Sequence, residues 1–213
     1  MDKRTLLANF GRVAVSAACV ISTASCGGDL LRTGRGASML VVDSMEATAG
    51  GAGGSGQTGA FLLSDVQVLV DTTINGVETK VPTIFNDTVT ASLRAIAKNP
   101  AAVTTATNSI TLTRYRVAFR RSDGRNTPGV DVPYGFDGGL GVTIAAGGTA
   151  QVALELVRHQ AKLEPPLKNL VGLGGQGFIS SIAEITFFGH DQNGNDVSVT
   201  GRIDVQFGDF GDE

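Results

Sequence analysis

Apolar and polar positions alternate most clearly near the C-terminus of the chain. From Val197 to Phe207 every second residue is apolar, apart from Gly201, and the residues between them are polar or charged. A period of two is typical of a β-strand with one packed face and one face in water. Asn193-Gly194, just before this segment, is a dipeptide typical of hairpin turns. The pattern therefore predicts a hairpin over residues 182–207, in which Gly201 lets a neighbour approach its strand closely.

Weaker patterns of the same kind predict further strands along the chain. In residues 109–124 the apolar positions change from even to odd numbers, which predicts a β-bulge near Thr113 or Arg114. Asn75-Gly76 predicts a second tight turn, and residues 163–173 predict a short helix with two prolines near its start. The other predicted strands cover residues 38–47, 60–71, 83–98 and 150–162.

The order of these elements favours an all-β fold. About eight strands follow one another without the strand–helix alternation that parallel sheets require, which indicates an antiparallel β-sandwich. Composition agrees, because the 213 residues include 29 glycines, 17% charged residues and no tryptophan. Glycine is concentrated in residues 48–59, which predicts a disordered loop. Turn-forming residues over 125–141 predict an ordered excursion from the strands.

The N-terminal residues have the order of a secretory signal. Lys3, Arg4 and Arg12 precede an uncharged run, residues 13–21, and small residues follow it. The run is shorter than the roughly 20 residues that cross a membrane as a helix. A site for ordinary signal peptidase follows Ala24, so that simple secretion is one interpretation of this segment.

The residues Thr23-Ala24-Ser25-Cys26 resemble the bacterial lipobox, whose last position is the cysteine that receives diacylglycerol. This resemblance implies that Cys26 becomes the lipidated first residue of the mature chain. Cys19 is the other candidate, but only a short apolar core would precede it. A free exposed thiol is a liability in an oxidising compartment, and acylation removes it.

These segments divide the chain into a lipoprotein signal peptide (residues 1–25), a flexible tether (26–37) and a β-sandwich domain (38–213). The signal contains three of the 17 basic residues and one of the 20 acidic ones, so that 14 and 19 remain, with a net charge of −5. This balance argues against a nucleic-acid partner and against membrane binding through a basic surface. The expected membrane contact is therefore the lipid on Cys26. By resemblance to enterobacterial lipoproteins, the lack of a retention aspartate after Cys26 implies the outer membrane.

The predicted C-terminal hairpin resembles the final strand pair of immunoglobulin-like domains on bacterial surface proteins. The pattern covers about 25 residues, 182–207, and lacks the paired cysteines and buried tryptophan of antibody domains. With its N-terminal signal, the whole chain resembles bacterial lipoproteins that carry an immunoglobulin-like β-sandwich. Such a resemblance implies an architecture and no particular chemistry.

Arginines form the largest concentration of one charge in the mature chain. Three of them fall on one face of the strand predicted over residues 109–124, and Arg121 and Arg125 are close to these three. They predict an anion-binding or partner-docking surface. The alternative is a solvated face whose arginines pair with acids on neighbouring strands, such as Asp204 or Glu155. Two aromatic residues of the turn-rich excursion extend the candidate binding surface, which consists of Arg114, Arg116, Arg120, Arg121, Arg125, Tyr134 and Phe136.

Asp191, Asn193 and Asn195 have the spacing of the first three ligands of a calcium loop. The later glycine and glutamate of that motif are missing, so that a hairpin turn is the simpler interpretation and calcium a weak alternative. His159, interpreted as a strand residue, and His190 have no partners in the sequence that indicate a zinc site or a catalytic triad. The sequence predicts no catalytic residue, resident metal or cofactor.

These features favour a non-enzymatic, lipid-anchored protein of the cell envelope whose sandwich binds or scaffolds another envelope protein or a glycan. One alternative is a subunit of a surface assembly, such as a pilus-like protein or an adhesin, which adds strands at exposed sheet edges. A carbohydrate-binding module is another, with Tyr115, Tyr134 and Phe136 in place of tryptophan. A soluble secreted or periplasmic protein is the alternative location.

Overall fold

The structure, a computed structural model, describes residues 36–52, 56–101, 103 and 105–210. These residues form an all-β sandwich, as the sequence predicts, but with eleven strands rather than about eight. The strands are β1 (Ser38–Thr48), β2 (Thr58–Gly59), β3 (Phe61–Asp65), β4 (Val68–Ile74), β5 (Val77–Thr83), β6 (Asp87–Ala97), β7 (Ile110–Arg120), β8 (Phe136–Ile144), β9 (Thr149–Val157), β10 (Phe178–Asp191) and β11 (Asp196–Gly208). A short helix, α1 (His159–Lys162), and two 3₁₀ turns, Ala106–Asn108 and Leu167–Leu170, connect them.

Two sheets face each other. One has the strand order β2-β1-β6-β9, and the other has the order β3-β11-β10-β7-β8. All neighbouring strands are antiparallel except β3 and β11, which run parallel. The order β1-β6-β9 against β11-β10-β7 is that of strands A-B-E and G-F-C in immunoglobulin sandwiches. β4 and β5 form a separate two-stranded ribbon, inserted between β3 and β6.

The core lies between the two sheets, because alternate residues of each strand point inward. β6 buries Val89, Ala91 and Leu93, and the rings of Phe119 and Phe207 meet edge to face with centroids 5.5 Å apart on the opposite sheet. The close approach predicted at Gly201 is present, since a Cβ atom there would lie 2.8 Å from the Met45 sulfur.

The β-bulge predicted near Thr113 or Arg114, in the strand with three outward arginines, is confirmed. The pairing of β7 with β8 shifts register between Leu112 and Arg114, so that Leu112 and Tyr115 both face the core. An extra residue between them reverses the alternation, as the sequence pattern requires. The short helix predicted over residues 163–173 is present as the 3₁₀ turn Leu167–Leu170.

Three sequence predictions are wrong in the structure. Residues 60–71 are two strands, since Val66 is buried and Asp65 accepts a hydrogen bond from the Gln67 N–H, which turns the chain away from the sheet. The predicted strand 150–162 ends at Val157, and His159 therefore lies on a helix. The excursion over 125–141 contains the start of β8, which its glycines concealed.

Residues 48–59 are also more regular than predicted. In the described part of this segment, Thr58–Gly59 pairs with the end of β1, and the Ala49 N–H donates to the Gln57 carbonyl. The signal peptide, most of the tether, Cys19 and Cys26 lie outside the described residues. Within the ranges that are described, no helix is both long and apolar enough to span a bilayer.

Candidate functional site

The outer face of the five-stranded sheet carries three of the five predicted arginines. Arg114, Arg116 and Arg120 point away from the core on β7, because Tyr115 and Val117 between them are buried. We use the name arginine face for these three residues together with Arg202, which lies on the same face. Arg202 belongs to β11, two strands away from β7 in the sheet.

One carboxylate joins two arginines at the β8 side of this face. Asp137 on β8 lies directly opposite Arg116 on β7. Arg116 donates from Nε and Nη2 to the two carboxylate oxygens, each at 3.1 Å, and Arg114 donates from Nη1 to Oδ1 at 3.1 Å. Such a fork of two parallel hydrogen bonds fixes the plane of the Arg116 guanidinium.

A second carboxylate joins two arginines across the centre of the sheet. Glu184 on β10 accepts hydrogen bonds from Arg120 Nε at 2.8 Å and from Arg202 Nε at 3.0 Å. β10 lies between β7 and β11, so that one side chain reaches a cation on each neighbouring strand. Sequence reasoning missed Arg202, because only the pairing of β10 with β11 places it beside Glu184.

In the loop after β7, a third carboxylate joins two arginines. Asp123 accepts hydrogen bonds from Arg121, at 2.6 Å to Nη2, and from Arg125, at 2.9 Å to Nη2. The expected arginine partners Asp204 and Glu155 are therefore not the ones found. Glu155 accepts from the Asn86 amide at 2.7 Å instead, and Asp204 is exposed on β11.

The arginines lower the pKa values of the three carboxylates that they contact. Hydrogen bonds from Arg121 and Arg125 hold the pKa of Asp123 well below its ordinary range. The side-chain hydrogen bonds of Arg116 lower the pKa of Asp137 from its ordinary 3.8. Burial acts to raise the pKa of Glu184, but hydrogen bonds from Arg202 and Arg120 bring it below its ordinary 4.5. All three acids are therefore ionised at neutral pH, and each holds its arginines in place.

A cleft of about 450 Å³ opens at one end of the arginine face. It forms beside the bulge of β7, where Thr113 is left out of the pairing with β10, next to Arg114, whose guanidinium carbon lies 4.2 Å from the centroid of the Phe188 ring. This stacking is a cation–π contact. His190, Asp196 and Ser198 complete its polar lining.

Sequence reasoning missed the cleft, although Phe188 carried a signal for it. Of the consecutive pair Phe187-Phe188, only one side chain can face the core of a strand. Phe187 is buried, and Phe188 is left on the outer face beneath Arg114.

Tyr134 and Phe136 do not extend the arginine face. Phe136 pairs with Val117 on the inner side, where its ring meets Tyr115 edge to face at 6.1 Å and lies 4.2 Å from the Arg158 guanidinium carbon. Tyr134 lies in the preceding loop, where it packs so closely on Gly129 that a Cβ atom there would meet its hydroxyl. The candidate surface predicted from sequence therefore separates into the arginine face, the Asp123 loop and these two aromatic contacts.

Asp191, the first residue of the calcium candidate, organises the β10–β11 turn. Its Oδ1 accepts the N–H groups of Asn193 and Asn195, each at 2.9 Å, and Oδ2 accepts the Asn195 amide at 2.8 Å. The side chain is buried, and these donors occupy both of its oxygens. Over residues 36–52, 56–101 and 105–210, no group of three or more histidine, cysteine or acidic residues is placed to hold a metal ion.

Comparisons of this chain with protein-family models, with curated proteins and with solved structures found no match.

Proposed function

We propose that this chain is a non-catalytic binding module of the cell envelope, and that its arginine face docks a partner bearing carboxylate or phosphate groups. The observation that carries the proposal is the arrangement in which single carboxylates hold pairs of arginines on the outer face of one sheet. Asp137 and Glu184 each bridge two guanidinium groups of the arginine face.

These bridges prepare the arginines for binding. A free arginine side chain loses about 2 kcal/mol of rotamer entropy when a ligand immobilises it. Here the carboxylates already restrict the side chains, so that a ligand bears less of that loss. An arginine has five N–H donors, and Arg120 uses only Nε on Glu184, which leaves its terminal N–H groups for an anion.

The cleft gives the surface an anchor point. Arg114 is stacked on Phe188 and is held from the other side by Asp137. An acidic group entering between Arg114 and Ser198 would meet a guanidinium and a hydroxyl, with Phe188 alongside for an apolar or ring-shaped neighbour. Asp196 on the same rim would disfavour an anion at that side, which restricts the direction of entry.

The envelope location in this proposal rests on the N-terminal sequence. A diacylglycerol on Cys26 would hold the sandwich at the membrane, with residues 27–37 as the tether. The outer membrane is the proposed site.

The test is capture of partners from the native envelope by the full-length protein, with matched variants. Arg114→Gln/Arg116→Gln removes two cations from the arginine face. Arg94→Gln is the control, because Arg94 is an exposed strand arginine on the other sheet that also bonds a single aspartate, Asp43, at 2.7 Å. The proposal is supported if the parent and Arg94→Gln both retain a component that moderate salt releases, and if the double variant does not retain it. Equal capture by all three proteins contradicts it.

A subunit of a surface assembly is the second candidate function, and the β4–β5 ribbon favours it. The ribbon pairs with neither large sheet, and residues 71–80 are all exposed. An assembly subunit needs such a strand edge for a neighbour to extend.

A further inference from the structure

The β4–β5 ribbon is amphipathic even though it lies outside the sandwich. One face carries only valine, isoleucine and threonine, in the cross-strand pairs Val68–Thr83, Val70–Val81, Thr72–Thr79 and Ile74–Val77. The other face carries the charges, with Asp71 opposite Lys80 and Thr73 opposite Glu78, and it has Leu69 opposite Pro82 at the base of the ribbon. Ile74 and Val77 at the tip are 50% and 63% exposed. An isolated two-stranded ribbon is marginally stable in water, and three or more strands with an apolar face are needed for independent stability.

The turn determines which backbone groups of β5 point outward. Asn75 and Gly76 both have positive φ, at 54° and 81°, as in the two-residue turn that the sequence predicts. In such a hairpin the flanking residues, Ile74 and Val77, exchange backbone hydrogen bonds, and the pattern then alternates. The N–H and C=O groups of Glu78 and Lys80 therefore point away from β4. Pro82, the next outward position, has no N–H to offer, as expected of a strand edge.

The outward edge of β5 is complementary to itself. If a second β5 runs antiparallel with Thr79 opposite Thr79, then each Glu78 faces a Lys80 of the other copy. In each of these two Glu78–Lys80 pairs, the outward N–H and C=O groups of the two residues face each other and exchange hydrogen bonds. The edge of β4 lacks this property, because Asp71 is its only charged residue and would face Leu69, a second Asp71 or Thr73.

We propose that the ribbon binds a second copy of this chain through the β5 edge, in the register that places Thr79 opposite Thr79. This inference deepens the second candidate function and does not depend on the arginine face. The two ribbons form a four-stranded antiparallel sheet. Because they run in opposite directions, each tip lies beside Pro82 of the other copy, and the two sandwiches lie at opposite ends.

The side chains of both faces continue across this contact. On the charged face, the side-chain charges alternate in sign across the strands, from Asp71 to Lys80 and then to Glu78 of the second copy. On the opposite face the four central positions are threonines, Thr72 and Thr79 of each copy, and the rows beside them are aliphatic. Pro82 ends the hydrogen bonding at either side, which limits the contact to residues 77–81. So short a contact forms a weak dimer, and sensitive assays are needed to detect it.

Charge exchange tests the register. The dimer contains two pairs of residue 78 with residue 80. Glu78→Lys makes both of them lysine–lysine pairs, and Lys80→Glu makes both of them glutamate–glutamate pairs. Either change is expected to weaken the dimer roughly tenfold, as measured by sedimentation velocity. A mixture of the two variants restores opposite charges in the mixed pair and is expected to associate about as well as the parent. Glu46→Lys, which makes the same charge change on the exposed edge of β1, is the control and leaves the dimer unchanged. Failure of the mixture to associate more than either variant alone overturns the proposed register.

Cross-linking tests the contact in the full-length chain with Cys19→Ser and Cys26→Ser, so that an introduced thiol is the only one. A Thr79 pair of this type has Cα atoms about 4.5 Å apart, within the span of a disulfide. Thr79→Cys is expected to give a disulfide-linked dimer under mild oxidation. Thr72→Cys, on the same face but on β4, is expected to remain monomeric. Equal cross-linking of both variants, or none with Thr79→Cys, overturns the proposal. Arg114→Gln/Arg116→Gln leaves this dimer intact, so that the two proposals fail independently.

Discussion

Lys162 Nζ lies 3.0 Å from Asp87 Oδ2, and both side chains are 1% exposed. The same carboxylate accepts the Ser64 hydroxyl at 2.6 Å and the Gly50 N–H at 2.8 Å. Burial raises the pKa of Asp87, while Lys162, Gly50 and Ser64 act in the opposite direction. This cluster joins the loop after β1, strand β3, the start of β6 and helix α1. It is closed to solvent and connects the two sheets, because Ser64 belongs to one sheet and Asp87 to the other.

Removal of Lys162 alone is expected to be strongly destabilising. Lys162→Met leaves the Asp87 carboxylate buried without its cation, which costs about 3–5 kcal/mol in the free energy of unfolding. Denaturant titration measures this cost, and the exposed Lys168→Met on the following turn is the control. The double variant Asp87→Leu/Lys162→Met is expected to lose less than the sum of the single changes, since no unpaired charge remains. Additive losses would show that the two side chains do not act as a pair.

Gly189 is expected to tolerate no side chain, because it lies at the bulge beside the cleft. A Cβ atom there would come within 2.2 Å of the Thr111 carbonyl oxygen, a backbone atom of β7 that cannot rotate away. Gly189→Ala should therefore separate β7 from β10 locally and cost about 1–3 kcal/mol. Gly139→Ala on β8 is the matched control, since, apart from Gly139 and its two neighbours in the chain, no atom of the described residues lies within 4 Å of the place that its methyl group would take. Similar unfolding midpoints for the two variants would contradict the tight packing at the bulge.

The arginine–carboxylate pairs predict a pH dependence with a defined sign. The pKa of Glu184 is lowered in the folded protein from an ordinary 4.5. The stability that ionised Glu184 contributes is therefore present above the pKa of this group in the unfolded chain. It is lost as the pH falls through the lower pKa of the group in the folded protein. Glu184→Gln is expected to be less stable than the parent at neutral pH, and the difference should shrink as pH falls below about 4. Denaturant titrations across this range measure it, and a difference that stays constant with pH would count against the pairing.

Cys26 is expected to decide where the native protein is found. If it carries a lipid, the native protein partitions into detergent-solubilised membranes, and mass spectrometry finds an N-terminal diacylated cysteine. Cys26→Ser should move the protein to the soluble fraction. Cys19→Ser changes the other cysteine and should leave the distribution as it was. A native N-terminus at Ser25, or an unmodified Cys26, would show ordinary secretion instead.

The strands with clear alternation could be predicted from the sequence, and those dominated by glycine could not. The segment containing β10 and β11 has a strict period of two and a turn dipeptide, so that the hairpin and the role of Gly201 followed directly. β8 was concealed because Gly138, Gly139 and Gly141 have no side chains to alternate. Gly138 is required there by Tyr115, whose ring would lie 2.2 Å from a Cβ atom.

The chain by itself determined the all-β class, the shared face of Arg114, Arg116 and Arg120, the bulge between Leu112 and Tyr115, and the turn at Asn75-Gly76. Each of these follows from patterns among residues that are close together in the sequence. Only the tertiary structure decided that Glu184 lies between Arg120 and Arg202, that Phe188 lies beneath Arg114, and that Lys162 is buried against Asp87. Those contacts join residues far apart in sequence, and they depend on strand order and register, which no local pattern encodes.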